Sequence, residues 1–181
     1  MRLAVLALLL AFGVGCAPDT ATKPKRVDIA PVHACGDELT LTGRVVDPAH
    51  VLPNVTLSNL DRQLAAYERR TRHQFVVVIA PSLGGSDIDL YSIRLFRRWG
   101  IGRRGVNDGI GLLIAPNERK ARIEVGLGLE RALPDDVAAS VLREVFPRFR
   151  AGDIAGGTDA GVTAIIAAMD HAEARQALDA H

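Results

Sequence analysis

The sequence predicts an α/β fold, a three-layer α/β/α sandwich in which a small mixed β-sheet is flanked by four helices. Three observations carry this expectation. Ile110 to Ala115 is a short apolar run between turn residues, and Gln74 to Ala80 holds five apolar, mostly β-branched residues in a row. Such strands are buried on both faces. Ala121 to Val125 alternates instead, with Ile123 and Val125 on one face and Arg122 and Glu124 on the other. Longer segments between and after these strands repeat their apolar residues every three or four positions, as helices do. The order strand, helix, strand, helix, hairpin, helix, helix then gives a mixed sheet with cover on both sides.

The chain of 181 residues has room for one domain and an appendage. Its 48% hydrophobic and 24% charged residues are a globular balance. A net charge of +1 gives no electrostatic reason to expect nucleic acid or an anionic membrane as partner.

The first residues read as an export signal. Met1 and Arg2 precede Leu3 to Phe12, an uncharged and almost wholly aliphatic run, and small residues follow. The run is well short of the roughly 20 residues that span a bilayer. Gly13, Val14, Gly15 and Cys16 resemble the lipobox of bacterial lipoproteins, although that pattern prefers Leu where Gly13 stands. In that reading residues 1–15 are cleaved, Cys16 is lipidated, and Ala17 resembles the sorting position of outer-membrane lipoproteins. The localisation expected is the periplasmic side of a membrane. Cys35 is then left without an intramolecular partner. Without lipidation, a disulfide between Cys16 and Cys35 is open in an oxidising compartment.

Residues 16–42, rich in Pro, Thr, Lys and Asp, read as a flexible tether, within which Val27 to Val32 pairs locally at most. The folded domain is expected over residues 43–172. Val45 and Val46 make a short strand that Asp47 and Pro48 end in a turn. A helix follows from about Leu57 to Thr71, with Ser58 and Asp61 spaced as a capping box and Leu57, Leu60, Leu64 and Tyr67 on one face. After the strand from Gln74, Ser86 opens a second helix that runs to Trp99, with Asp89 accepting at its first turn. Ile88, Tyr91, Leu95 and Trp99 line its inner face, and Gly100 ends it. The right-handed crossover rule places this helix between neighbouring parallel strands. Pro116 to Lys120 suits a tight connection between antiparallel strands. A third helix runs from Asp135 to Phe149, with Val137, Val141, Val145 and Phe149 on one side and Leu142 and Phe146 beside them. A fourth runs from Ile154 to about Ala172, with Val162, Ile165, Ile166 and Met169 inward. Residues 173–181 read as a polar, frayed tail.

Several chemistries are excluded at once. The chain has no GxSxG, Walker A, HExxH or EF-hand pattern, and its five histidines are not spaced as a zinc pair. Gly100 to Gly105 matches GxGxxG but leaves a helix and enters a strand, the reverse of the dinucleotide context. It reads as a mobile loop. What remains are carboxylates near strand ends: Asp47, Asp87, Asp108, Glu130, Asp135 and Asp136. If their loops share one edge of the sheet, an all-oxygen set without His or Cys selects a hard ion, calcium before magnesium. The plainer reading is turn and cap chemistry, since Asn107, Asp108 and Gly109 make a common turn and Pro134, Asp135 and Asp136 a good helix start. Arg94, Arg97, Arg98, Arg103 and Arg104 suit a phosphate or an acidic partner, or simply a solvated helix face.

Taken in order, several segments carry a family resemblance. They are Val45 to Ala49 with Val51 and Leu52, Gln74 to Val78, Leu95 to Gly102, Asn107 to Ile114, Arg122 to Glu130, and Phe146 to Asp153. In that spacing, from about Gly43 to Met169, the chain resembles the TPM domain family. That family includes thylakoid-lumen proteins of photosystem II repair, a nematode acetylcholine-receptor modulator and many exported bacterial proteins. The resemblance implies an α/β/α sandwich, an extracytoplasmic location and attachment to a membrane. Some relatives bind calcium through acidic loop residues, and a plant member is described as an acid phosphatase. By position the implied metal ligands are Asp47, Asp108, Glu130 and Asp135, with Asn107 as a neutral ligand. Three departures stand out. The C-terminal membrane helix and glycine-rich tail of many bacterial relatives are missing, Pro53 stands where Ser is usual, and Gly111 replaces a bulkier residue in the central strand.

These observations leave a non-enzymatic reading first: a lipid-tethered domain that binds a divalent cation and assists membrane-protein complexes, its partner being an unidentified membrane protein. The alternative is a metal-assisted phosphomonoesterase with Arg103 or Arg122 steadying the phosphate. A structural lipoprotein with no ligand is the third.

Overall fold

The computed structural model describes residues 39–179. The signal segment, Cys16, the Val27 to Val32 stretch and Cys35 lie outside the described residues. The elements are β1 (Val45–Val46), α1 (Asn54–Thr71), β2 (Gln74–Ile79), α2 (Ile88–Trp99), β3 (Gly109–Ala115), β4 (Lys120–Val125), α3 (Asp135–Arg150) and α4 (Ile154–Asp179). The sheet order is β1-β2-β3-β4, with β1, β2 and β3 parallel and β4 antiparallel to β3. The α/β sandwich expected from the sequence is the fold observed.

Alternation along the strands sorts the core into two layers. Phe75, Val77, Ile79, Ile110, Leu112, Ile114 and Ile123 face α1, α3 and α4, meeting Leu60, Leu64, Tyr67, Val141, Val162, Ile165 and Met169. Val46, Val76, Val78, Leu113 and Ala115 face α2 alone, meeting Leu95 and Phe96. Every residue of β3 is buried. This layering has a topological consequence. The crossovers β1-α1-β2 and β2-α2-β3 step the same way across the sheet, yet their helices lie on opposite faces. The two crossovers therefore have opposite hands, so the right-handed rule holds for only one of them.

Local details differ from the sequence reading where backbone geometry competes with side-chain pattern. Helix α1 starts at Asn54, behind Pro53, with no side-chain cap. Pro53 has no amide to satisfy and its fixed φ suits the entry, so Ser58 and Asp61 fall inside the helix. In α2 the cap is Asp87, whose carboxylate accepts from the amides of Asp89 and Leu90. Its buried residues are Ser92, Leu95 and Phe96, and the rest of the expected stripe, Ile88, Tyr91 and Trp99, is half-buried against the same core. Helix α4 continues through the expected tail to Asp179. At the other end Leu39 is already in the α2-side core, where its carbonyl accepts from Arg98 Nη2 at 2.8 Å and Trp99 Nε1 at 3.1 Å.

Candidate functional site

Parallel strands order their ends. The amino ends of β2 and β3 and the carboxyl end of β4 share one edge of the sheet; the carboxyl ends of β1, β2 and β3 form the other. Asn107 and Asp108 enter β3 and Glu130 follows β4, so these three lie at the first edge, while Asp135 stands near enough to Arg122 to act on it. Asp47 follows β1 and stands at the second. Continuing the register puts it level with Ile79 and Ile114, five residues along β3 from Gly109. At 3.3 Å per residue that is about 16 Å from the Asn107 end.

Asp47 has a local task. Its two carboxylate oxygens accept from the amides of Val51 (3.2 Å) and Leu52 (2.8 Å), closing the turn that carries Leu52 into the core. Asp47→Ala is expected to cost about 1 kcal/mol of stability, the scale of a lost side-chain cap. Amide shifts around Asn107 and Glu130 should stay unchanged in its NMR spectrum, and perturbation there would reject the separation.

At the first edge a cleft of about 610 Å³ opens on the α2 side of the sheet. One wall is Ile93, Phe96 and Arg97 of α2 with the glycine loop from Gly100 to Arg104. The floor is Gly109, Ile110 and Gly111 of β3, and the far wall is Glu124 to Leu127 with Glu130. Asn107 also lines it. Glycines permit this shape. A Cβ at Gly111 would enter the Phe96 ring, and Cβ atoms at Gly126 and Gly128 would collide with the carbonyls of Asn107 and Val106. The loop after β4 thus lies directly on the strand entering β3, with Gly126 N bonded to Gly109 O (2.8 Å) and Gly128 N to Asn107 O (3.0 Å). Asn107 takes a left-handed φ of 55°, which asparagine tolerates.

Asp108 is 1% exposed. Its oxygens accept from the Arg103 amide (2.7 Å) and Nε (2.7 Å), and Nη2 lies 2.6 Å away. Burial alone would raise its pKa, but the Arg103 guanidinium and amide outweigh that and hold it below the usual carboxylate range. Glu124 is also engaged. Its Oε1 accepts from the buried Ser92 hydroxyl (2.7 Å) and from Arg122 Nε (3.0 Å), while Arg122 Nη1 reaches Asp89 at 3.3 Å. Asp135 is exposed in the first turn of α3 and contributes to the field at Arg122. Arg97, Arg104 and Glu130 have no side-chain partner among the described residues.

The set Asp47, Asn107, Asp108, Glu130 and Asp135 is therefore divided. Asn107 and Glu130 share the cleft, Asp108 lies beside it in an ion pair, Asp135 sits outside it in the first turn of α3, and Asp47 stands at the opposite edge. Among the described residues no three His, Cys, Asp or Glu side chains come together in a way that would hold a metal ion. The residues as arranged do not fit a ready-made calcium cage, which needs six or more oxygens. Sequence reasoning missed Ser92 and the cleft roles of Phe96 and Arg97. The available signal was spacing, since Ser92 and Phe96 lie four and eight residues after Ile88, within the inner stripe.

A mixed sheet with helices on both faces and an open cleft at the amino ends of its parallel strands defines a small α/β domain. Doubly wound nucleotide folds bind at the carboxyl ends instead. The chain belongs to the TPM domain family, whose model matches residues 45–168. It is similar to the N-terminal domain of a P. gingivalis protein solved in solution. The identity is 32%, 72% of this chain and 83% of that chain are covered, and the TM-score is 0.67. The N-terminal domain of cg2496 from Corynebacterium glutamicum (16% identity, 73% and 83% covered, TM-score 0.57) shares the fold. So does BA42 from Bizionia argentinensis (13% identity, 70% and 86% covered, TM-score 0.60). No curated protein matches the chain.

Proposed function

We propose that this TPM domain is an exported, lipid-tethered interaction module, held through Cys16 on the periplasmic side of the outer membrane, that assists membrane-protein complexes by offering its glycine-loop cleft. One observation carries the choice of binding over catalysis. The cleft is open and partly apolar, while the groups best suited to start chemistry beside it are bonded within the fold: Asp108 to Arg103, and Ser92 to Glu124. A binding site asks for shape and a few polar contacts; hydrolysis asks for a presented nucleophile or base. The tether is supported by the sequence before Leu39 and the extracytoplasmic habit of the family.

A photo-crosslinker at Glu130, exposed and lining the cleft, should capture a membrane protein from intact membranes. The same probe at Val55, exposed at the start of α1 near the opposite edge, should not. Equal capture at both would reject the cleft as the contact.

Calcium, with magnesium second, is subordinate in this proposal. An ion at the cleft would draw on Asn107, Glu130 and Asp108, and Asp108 must first exchange Arg103 for the ion. The wild-type protein is therefore expected to bind calcium weakly, with Kd on the order of 10⁻³ M as in weak extracellular modules. Arg103→Ala should bind it more tightly, as read from amide shifts at residues 107, 108 and 130. A variant that gains nothing removes calcium from the proposal. Metal-assisted hydrolysis of phosphomonoesters, the alternative, has no observation in its favour beyond the arginines.

A further inference from the structure

We infer that the end of the domain where α2 runs into the glycine loop is a docking surface for anionic phospholipid, so that the domain lies cleft-edge down on the membrane. Three independent features meet there. Arg97, Arg98, Arg103 and Arg104 fall within eight residues, and the only acidic residue between positions 97 and 108 is the buried Asp108. Arg97 and Arg104 are exposed and have no partner among the described residues. The chain's net charge of +1 hides this concentration, because most of the remaining charges pair or scatter elsewhere.

The second feature is apolar. Val106 and Leu127 are 46% and 72% exposed, and the close approach of Gly128 to the Val106 carbonyl sets their loops side by side. Arginines next to projecting aliphatic side chains match the boundary between headgroups and acyl chains, where charge meets phosphate and apolar tips enter the hydrocarbon. An acidic protein partner would answer the arginines but gives no reason for bare aliphatic tips among them.

The third feature is where the chain arrives. Leu39 is fastened to Trp99 and Arg98, so the segment from Cys16 joins the domain at this same end. The 22 residues between Cys16 and Leu39 can reach at most about 80 Å even when fully extended. A domain held that close meets the surface at high effective concentration, and a weak patch suffices. The orientation rests on the proposed tether; the lipid affinity itself does not.

The test separates the two. Both cores lie within the described residues, and relatives' domains were solved as separate pieces, so residues 33–181 serve as the protein without Cys16 or acyl chain. This domain should sediment with vesicles of phosphatidylglycerol and phosphatidylcholine at low salt, and not with phosphatidylcholine alone. An arginine near such a surface contributes about fivefold, so Arg97→Glu with Arg104→Glu should weaken binding by about 25-fold or more. Leu127→Gln should weaken it further without altering the salt dependence. Both arginines are exposed and unpaired, and an unchanged circular dichroism spectrum confirms that the variant is folded. Absent sedimentation with anionic vesicles, undiminished binding by the double variant, or capture of only an acidic protein at this end overturns the inference. Acylation of Cys16 is read separately, from the mass of the full chain recovered from membranes, so either result stands if the other fails.

Discussion

Gly111→Val is expected to destabilise the domain by about 3 kcal/mol and to close part of the cleft. Gly111 lies in the fully buried central strand, and the edge and tip of the Phe96 ring occupy the space where its side chain would be. Valine suits a strand in general, but here its methyls must evict a ring that is 8% exposed and packed edge-on to Trp99. The nearest free volume is the cleft, which Phe96 already lines. Phe96→Ala alone should cost about 3–4 kcal/mol through the cavity it leaves. Together the two changes should cost at least 1 kcal/mol less than their sum, because each makes room for the other. Urea denaturation of the four proteins measures this, and strict additivity would show that the ring and the glycine do not share the space.

The second large effect is expected at Arg103. Arg103→Ala leaves the Asp108 carboxylate buried with only the backbone amides of positions 103 and 108 to answer it. The loss should be about 2–3 kcal/mol, below the figure for a fully buried pair because the guanidinium is 55% exposed. The pH dependence has a definite sign. The folded pKa of Asp108 is depressed, so its contribution is complete above the unfolded carboxylate range and is lost as pH falls through the folded value. In the variant, burial without a counter-charge favours the protonated acid, so acidification relieves it. The stability gap between wild type and variant should therefore shrink from pH 7 towards pH 3. A constant gap would mean that Arg103 acts by packing alone.

The fold was legible because its strands announce themselves. A run such as Phe75 to Ile79 has no face to give to water, and alternation in β4 marks an edge. Capping was less legible. Pro53 and Asp87 each displaced the expected start of a helix, while the inner stripe of α2 held and Ser92, a polar member of it, gave no apolar signal. Of the candidate site, the edge holding Asn107, Asp108 and Glu130 follows from strand order, once β1, β2 and β3 are known to be parallel. The exclusion of Asp47 follows from the same fact, which no local pattern encodes. The Arg103 pairing of Asp108 was hidden too, since the four residues between them form a turn that only coordinates disclose. Opposite faces for α1 and α2 were likewise beyond a handedness rule that holds for one crossover at a time.

The brevity of β1 has a mechanical meaning. Traction on the preceding chain arrives first at the Leu39 carbonyl, then at Arg44, bound to Glu68 and Val77, and next at the two residue pairs joining Val45 and Val46 to β2. Those are the weakest links along the load path, while β2 and β3 are joined over six pairs and β3 and β4 over six more. A tug therefore peels one short margin and spares the body behind it, so the N-terminal edge works as a fuse between whatever holds the chain and the cleft it carries.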